Sequence, residues 1–197
     1  MWQLNQKQLS RVLFPIGDYK KEEIRKIAKK MKLPVFDKKD SQEVCFIHNT
    51  DLRGYFKMRI HTDKGAIKTV GGKKIGEHEG LAYYTIGQRR GIKISYNKPL
   101  YVIAKDYKKN VLIVSENEKD LFKKEIIVGG VKWISNSFIG KCQVKIRNTA
   151  KPSAANTKKI GGNKAKIVFK IPQRAIAPGQ SAVFYNGNKL LGGGIIM

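Results

Sequence analysis

Residues 181–196, SAVFYNGNKLLGGGII, hold the reading on which the fold turns. Asn186-Gly187 stands between two β-prone runs and supplies the left-handed backbone that a two-residue hairpin turn needs, so the stretch reads as a β-hairpin. Working backward, KAKIVFKI, GKCQVKIR and EIIVGGVKWI recur from near Glu125 at spacings suited to a small barrel or sandwich. Between them KPSAANTKKIGGNK, Lys151 to Lys164, reads as a loop. A second β-rich series, LAYYTIG, PLYVIAKD and NVLIVSE, runs from Leu81 to Glu116, with turns at Gly87–Gly91 and Lys108–Asn110. It predicts a small separate β domain.

Only the first 34 residues carry helix signals. Asn5, with Gln8 three places on, predicts a capped short helix that Pro15 stops. Asp18 is the expected cap of a second helix, KKEEIRKIAKKM, whose Ile24, Ile27, Ala28 and Met31 fall on one face. Two short amphipathic helices make no domain, so their apolar faces require something to pack on. Helix signals nearly vanish after Val35, and no internal repeat is present.

Forty Lys and Arg against fifteen Asp and Glu give a formal charge of +25 on 197 residues. A chain so charged repels itself unless it meets a polyanion, and nucleic acid is the first candidate; the alternative is a lysine-rich, merely solvated surface. No apolar run is long enough to cross a membrane and the N-terminus lacks the blocks of a signal peptide, which predicts a soluble, cytoplasmic protein with no membrane partner. The two cysteines, Cys45 and Cys142, and the three histidines, His48, His61 and His78, show no metal-ligand or disulfide spacing, so no metal is expected.

In KCQVKIR, Cys142, Val144 and Ile146 share one strand face, and Lys141, Gln143, Lys145 and Arg147 the other. Cys142 is expected in the core, behind an outward basic stripe able to follow a phosphate backbone or simply to face water. Alternation in VCFIH places Cys45 with Ile47, which suits a buried thiol, yet the preceding KKDSQE suits an activated one. Pattern leaves that choice open. Arg89 and Arg90 sit in a glycine-bounded turn where backbone can approach a phosphate, or at the solvated tip of an ordinary hairpin. Gln180, in APGQSAVFYNG, stands at a strand entrance, where it can contact a nucleotide or only close the turn.

Taken together and in this order, DSQEVCFI, GEHEGLAYYTIGQRRGI, VKIR, APGQSAVFYNG and LLGGGII resemble the bacterial tRNA-specific 2-thiouridylases, the MnmA family, from about Trp2 onward. The resemblance implies replacement of the 2-oxygen of the tRNA wobble uridine by sulfur, with consumption of ATP. It also implies that Cys45 bears the persulfide received from a sulfur-relay donor protein, with a second cysteine helping release the sulfur and a transient disulfide in the cycle. The implied architecture is mainly β: a helical tail of an ATP-pyrophosphatase domain (1–36), a central domain with the persulfide cysteine (37–122), and a C-terminal barrel like those of elongation factor Tu (123–197), which binds tRNA. The S-G-G-x-D-S-type loop and the family's first catalytic cysteine have no match here. The chain therefore resembles the C-terminal portion, with the ATP site outside it and a separate ATP-pyrophosphatase half as a candidate partner. Arg147 and Gln180 match family tRNA contacts, and Asn148 stands where the best-known members have an aromatic residue. Arg89, Arg90, Lys141 and Lys145 join them on charge placement alone. The alternative function is a stand-alone, non-catalytic tRNA-binding module.

Overall fold

Ten strands dominate the computed structural model, which describes residues 1–38, 52–60, 62–134 and 140–197. Six of them, β5 (Phe122–Trp133), β6 (Gly140–Lys145), β7 (Ser153–Gly161), β8 (Lys164–Arg174), β9 (Ser181–Asn186) and β10 (Lys189–Ile196), close into a barrel in the order β10-β5-β8-β7-β6-β9. Closure leaves no unpaired sheet edge. Val128, Val144, Ile167, Phe169, Ala182 and Phe184 fill the interior, each at most 1% exposed. The predicted hairpin forms, but its two-residue turn is Gly187-Asn188: Asn186 still pairs with Lys189 as the last residue of β9, and Gly187 takes the left-handed backbone at φ +57°.

A separate four-stranded sheet has the order β2-β1-β4-β3. It is built from β1 (Gly65–Thr69), β2 (Lys74–His78), β3 (Tyr101–Asp106) and β4 (Val111–Ser115). β4 pairs parallel to β1 and antiparallel to β3, and its VLIVS sequence is correspondingly apolar almost throughout. Ile67, Val102, Leu112 and Val114, all fully buried, form the centre of its core. The mainly β expectation, with a barrel and a smaller β unit, agrees with this architecture.

Several local expectations require correction. Lys151–Lys164 is no loop: most of it is β7, paired on both sides with β6 and β8. Its inward positions are Ala155 and Thr157, too small and polar to mark a strand in the sequence. LAYYTIG is not a strand; Leu81–Tyr83 makes a 3-10 turn that buries Leu81 and Tyr84, a spacing of three that a strand cannot place on one face. β1 and β2 escaped the reading because Ile67 is the only fully inward apolar residue of GAIKT. A short helix, α3 (Leu52–Arg59), also lies beyond Val35.

At the N-terminus, α1 (Gln6–Leu9) carries the expected reciprocal cap, with Gln8 N–H donating to Asn5 Oδ1 at 2.8 Å and Asn5 N–H to Gln8 Oε1 at 3.0 Å. α2 (Lys21–Lys30) begins later than Asp18 predicts, and the Lys20 N–H donates to Glu23 Oε2 at 2.6 Å instead. Ile27 of α2 and its C-cap Met31 remain 41% and 64% exposed, while Ile24 and Ala28 are half-buried, so the apolar face is only partly covered among the described residues. The first residues, however, are docked. Trp2 is 9% exposed, and a Cβ built on Gly193 of β10 would lie 2.8 Å from the indole. Gln6 Nε2 donates to the Ile134 carbonyl at 2.7 Å. Because the same Cβ would also meet the Ala182 carbonyl oxygen at 2.8 Å, Gly193→Ala is expected to cost about 1–3 kcal/mol in urea unfolding.

His78 ends β2 at 1% exposure. Its Nδ1 accepts from Gly80 N–H at 3.1 Å, and Nε2 lies 3.2 Å from the Asn110 carbonyl oxygen, which makes Nε2 the protonated nitrogen. Burial holds its pKa below the usual histidine value, against a smaller opposing pull from Asn110. The unfolded chain takes a proton more readily than the folded one, so His78 contributes stability above about pH 6.5 that is lost as pH falls through the folded pKa. Urea midpoints should accordingly drop between about pH 7.5 and 5.5, and the drop should shrink in His78→Gln.

Candidate nucleic-acid interface

The outward face of β6 continues as a basic stripe into the turn that follows. β6 pairs antiparallel with β9, Val144 opposite Phe184 and Lys145 opposite Val183. Past Lys145 the chain bends and turns, with Ala150 N–H donating to the Arg147 carbonyl at 3.2 Å. Inward residues Cys142, Val144 and Ile146 are buried, as alternation predicts, and Lys141, Gln143 and Arg147 are exposed. Cys142 Sγ lies 3.0 Å from Thr157 Oγ1, and burial pushes its thiol pKa up although that contact pulls it down. It is an inert packing residue.

Gln180 is positioned by a turn legible in the sequence. Ala177-Pro178-Gly179-Gln180 has proline at the second place and Gly179 at φ +87°, the requirements of a type II turn, with Gln180 N–H 3.4 Å from the Ala177 carbonyl. The Gln180 carbonyl accepts from Ile196 N–H at 2.8 Å, fixing the backbone and leaving the side chain exposed.

These elements enclose a depression of about 300 Å³ lined by Lys145, Arg147, Asn148, Gln180, Ser181 and Tyr185, among others. Four residues singled out from the sequence thus meet in one place. Tyr185 is the addition that sequence reading missed; its place on the outer face of β9, opposite Gln143, was the available signal. One Arg147 Nη2 donates to the Ala175 carbonyl at 2.6 Å, and no described carboxylate pairs with Arg147 or Lys145. The guanidinium is therefore anchored, with donors to spare for an anion.

That anchor sits at the junction of barrel and sheet. Ala175 is 1% exposed at φ +52°, and its N–H donates to Leu121 O at 2.8 Å. A Cβ on Gly87, itself at φ +88°, would lie 2.6 Å from the Ala175 Cβ. Arg174 also pairs with Glu118 at 2.9 Å. The glycine turn at Gly87 thus packs directly against the barrel at Ala175.

Other expected residues lie apart. Arg89 borders a different depression with Lys93, Tyr96 and Lys98, Arg90 is exposed in the same turn, and Lys141 lies farther back along β6. Gln88 serves the turn itself, accepting from Thr85 N–H and donating to the Arg90 carbonyl. Cys45, His48 and His61 lie outside the described residues. Among the described residues no His, Cys, Asp and Glu cluster could hold a metal ion, and no helix is long and apolar enough to cross a membrane.

Residues 1–49 match the tRNA methyl transferase HUP domain, 53–116 the tRNA methyl transferase PRC-barrel domain, and 123–196 the aminomethyltransferase beta-barrel domain. Over its whole length the chain is 43% identical to the tRNA-specific 2-thiouridylase MnmA of Clostridioides difficile (strain 630) and 45% identical to MnmA 2 of Thermoanaerobacter sp. (strain X514), covering 55% of each. The chain belongs to the tRNA-specific 2-thiouridylase family. MnmA 2 of Clostridium botulinum (strain Hall) is 43% identical, with 57% of it covered. The chain thus spans about half the length of these 2-thiouridylases, and its Cys45 segment falls in the match to the HUP domain.

Proposed function

We propose that this chain is the tRNA-holding and persulfide-bearing part of a cytoplasmic tRNA uridine 2-sulfurtransferase, divided functionally at 36/37 and 122/123. The observation that carries the reading is the meeting of Lys145, Arg147, Asn148 and Gln180 on one depression of a chain with formal charge +25. Phosphates would be met by Lys145, Lys141 and Arg147, whereas the Asn148 and Gln180 amides can address base edges and Tyr185 offers a stacking face. Arg89 and Arg90 form a separate, secondary contact.

Cys45 accepts sulfur in this reading. Its thiolate attacks the outer sulfur of a donor persulfide, the donor S–S bond breaks, and the donor leaves as a thiolate while Cys45 retains the transferred sulfur. ATP supplies, in the parent reaction, activation of the 2-oxygen as a leaving group. The described residues of this chain do not fit it: the Gly87–Gly91 turn leads into extended chain rather than a helix N-terminus, and Gly161-Gly162 lies in a hairpin. The ATP-pyrophosphatase portion that the family implies is the matching partner.

Anisotropy of a labelled unmodified tRNA transcript, titrated at increasing salt, tests the binding half of the proposal. Affinity should fall steeply and linearly on logarithmic axes. Absence of binding even at low salt would refute it.

A further inference from the structure

Gln180 lines more than one depression. It also borders a cleft of about 300 Å³ between sheet and barrel, walled by Tyr84, Lys105 and Tyr107 on one side and Lys123, Ile176 and Pro178 on the other. Lys123, Ile176 and Pro178 in turn border a wider groove that adds Lys164 and Lys166. Cations thus recur from the Arg147 site across the domain junction, Lys105 and Lys123 in the cleft and Lys164 and Lys166 in a groove otherwise lined mostly by apolar side chains, where Glu125 pairs with Lys166 at 2.7 Å.

The cleft differs in chemistry from the grooves that flank it. Tyr107, in the β3–β4 turn, is 69% exposed, and the Lys105 ammonium lies 5.5 Å from its ring centroid. That ammonium is anchored by the carbonyls of Tyr84 at 2.9 Å and Leu81 at 3.4 Å. An open aromatic face, a fixed cation, a second cation at Lys123 and the Gln180 amide complement a base, a phosphate and a base edge. An acidic peptide would use the cations and leave the ring and the amide unmatched.

We infer that the cleft receives one unpaired nucleotide of the RNA held at Arg147, its base stacked on Tyr107 and its phosphate on Lys105 and Lys123. This rests on the tRNA reading above. A base inside a duplex exposes no face, so the site selects unpaired nucleotides.

The test compares the affinities of Tyr107→Ala, Tyr107→Phe and Arg147→Ala chains for an unmodified tRNA transcript and for a fully paired RNA duplex. Tyr107→Ala should weaken tRNA binding by about 5- to 100-fold and leave duplex binding unchanged, and Tyr107→Phe should retain tRNA affinity. The exposure of Tyr107 keeps its removal from disturbing the core, and thermal melting verifies this. If Tyr107→Ala has no effect while Arg147→Ala weakens tRNA binding, the cleft inference falls and the tRNA reading stands. Equal losses on tRNA and duplex would also overturn it, because they report a general effect rather than stacking. Failure of the unaltered chain to bind tRNA removes both.

Discussion

Cys45→Ser is expected to abolish persulfide formation on the chain altogether. Sulfur transfer needs a thiolate nucleophile able to form an S–S bond, and a serine hydroxyl is neither ionised near neutral pH nor able to keep the sulfur. The remaining thiol cannot substitute. Cys142 is buried among the barrel's apolar side chains beside Thr157, and burial raises its pKa, so both access and thiolate fraction are low. Intact-mass measurement after exposure to a persulfide donor should show the gain of one sulfur on the unaltered and Cys142→Ala chains and none on Cys45→Ser. tRNA affinity should be the same in all three. Persistence of the added sulfur on Cys45→Ser would remove Cys45 from its assigned role.

The second large effect belongs to Arg147. Replacing it with alanine removes a charged donor at the depression and also its bond to the Ala175 carbonyl at the junction. Loss of the phosphate contact should weaken tRNA binding by about 1–3 kcal/mol and lower the magnitude of the salt slope by about one. Arg147→Lys separates the components: it keeps the charge and most of the salt slope but loses the planar fork. An unchanged affinity and slope in Arg147→Ala would reject the residue as a contact. A change in melting temperature without a change in affinity would assign it to the junction alone.

What could be read in advance depended on how strongly local pattern reflected burial. The barrel was legible because β5, β6, β8 and β9 bury large residues at alternate positions, Val128, Val144, Phe169 and Phe184 among them. β7 was not, since a strand between two neighbours can be held by backbone pairing while burying only Ala155 and Thr157. β1 and β2 were hidden similarly, by glycine and lysine around Ile67. At the site, strand alternation forecast the outward face of Lys141 to Arg147, and Pro178-Gly179 forecast the turn beneath Gln180. The pairing of β6 with β9 was not forecast, and it sets Tyr185 and the strand ends leading to Arg147 and Gln180 on one side of the barrel. Long-range register is set by closure of the barrel, which no local window contains.

The junction illustrates the same limit. The Gly87 turn read either as a place for backbone to approach a phosphate or as an ordinary hairpin tip, whereas Gly87 packs against the Ala175 methyl of the barrel. Glycine signals a missing Cβ without naming what fills the space.

The central claim is that this chain carries sulfur and holds tRNA for a reaction completed by an ATP-pyrophosphatase half. Thiolation of unmodified tRNA, with ATP and a persulfide donor, should be measured with this chain alone and then with a separately made ATP-pyrophosphatase half. The account expects 2-thiouridine only in the mixture, and none when the mixture contains Cys45→Ser. No 2-thiouridine in the mixture, despite tight tRNA binding, would contradict it and identify a tRNA-binding module instead.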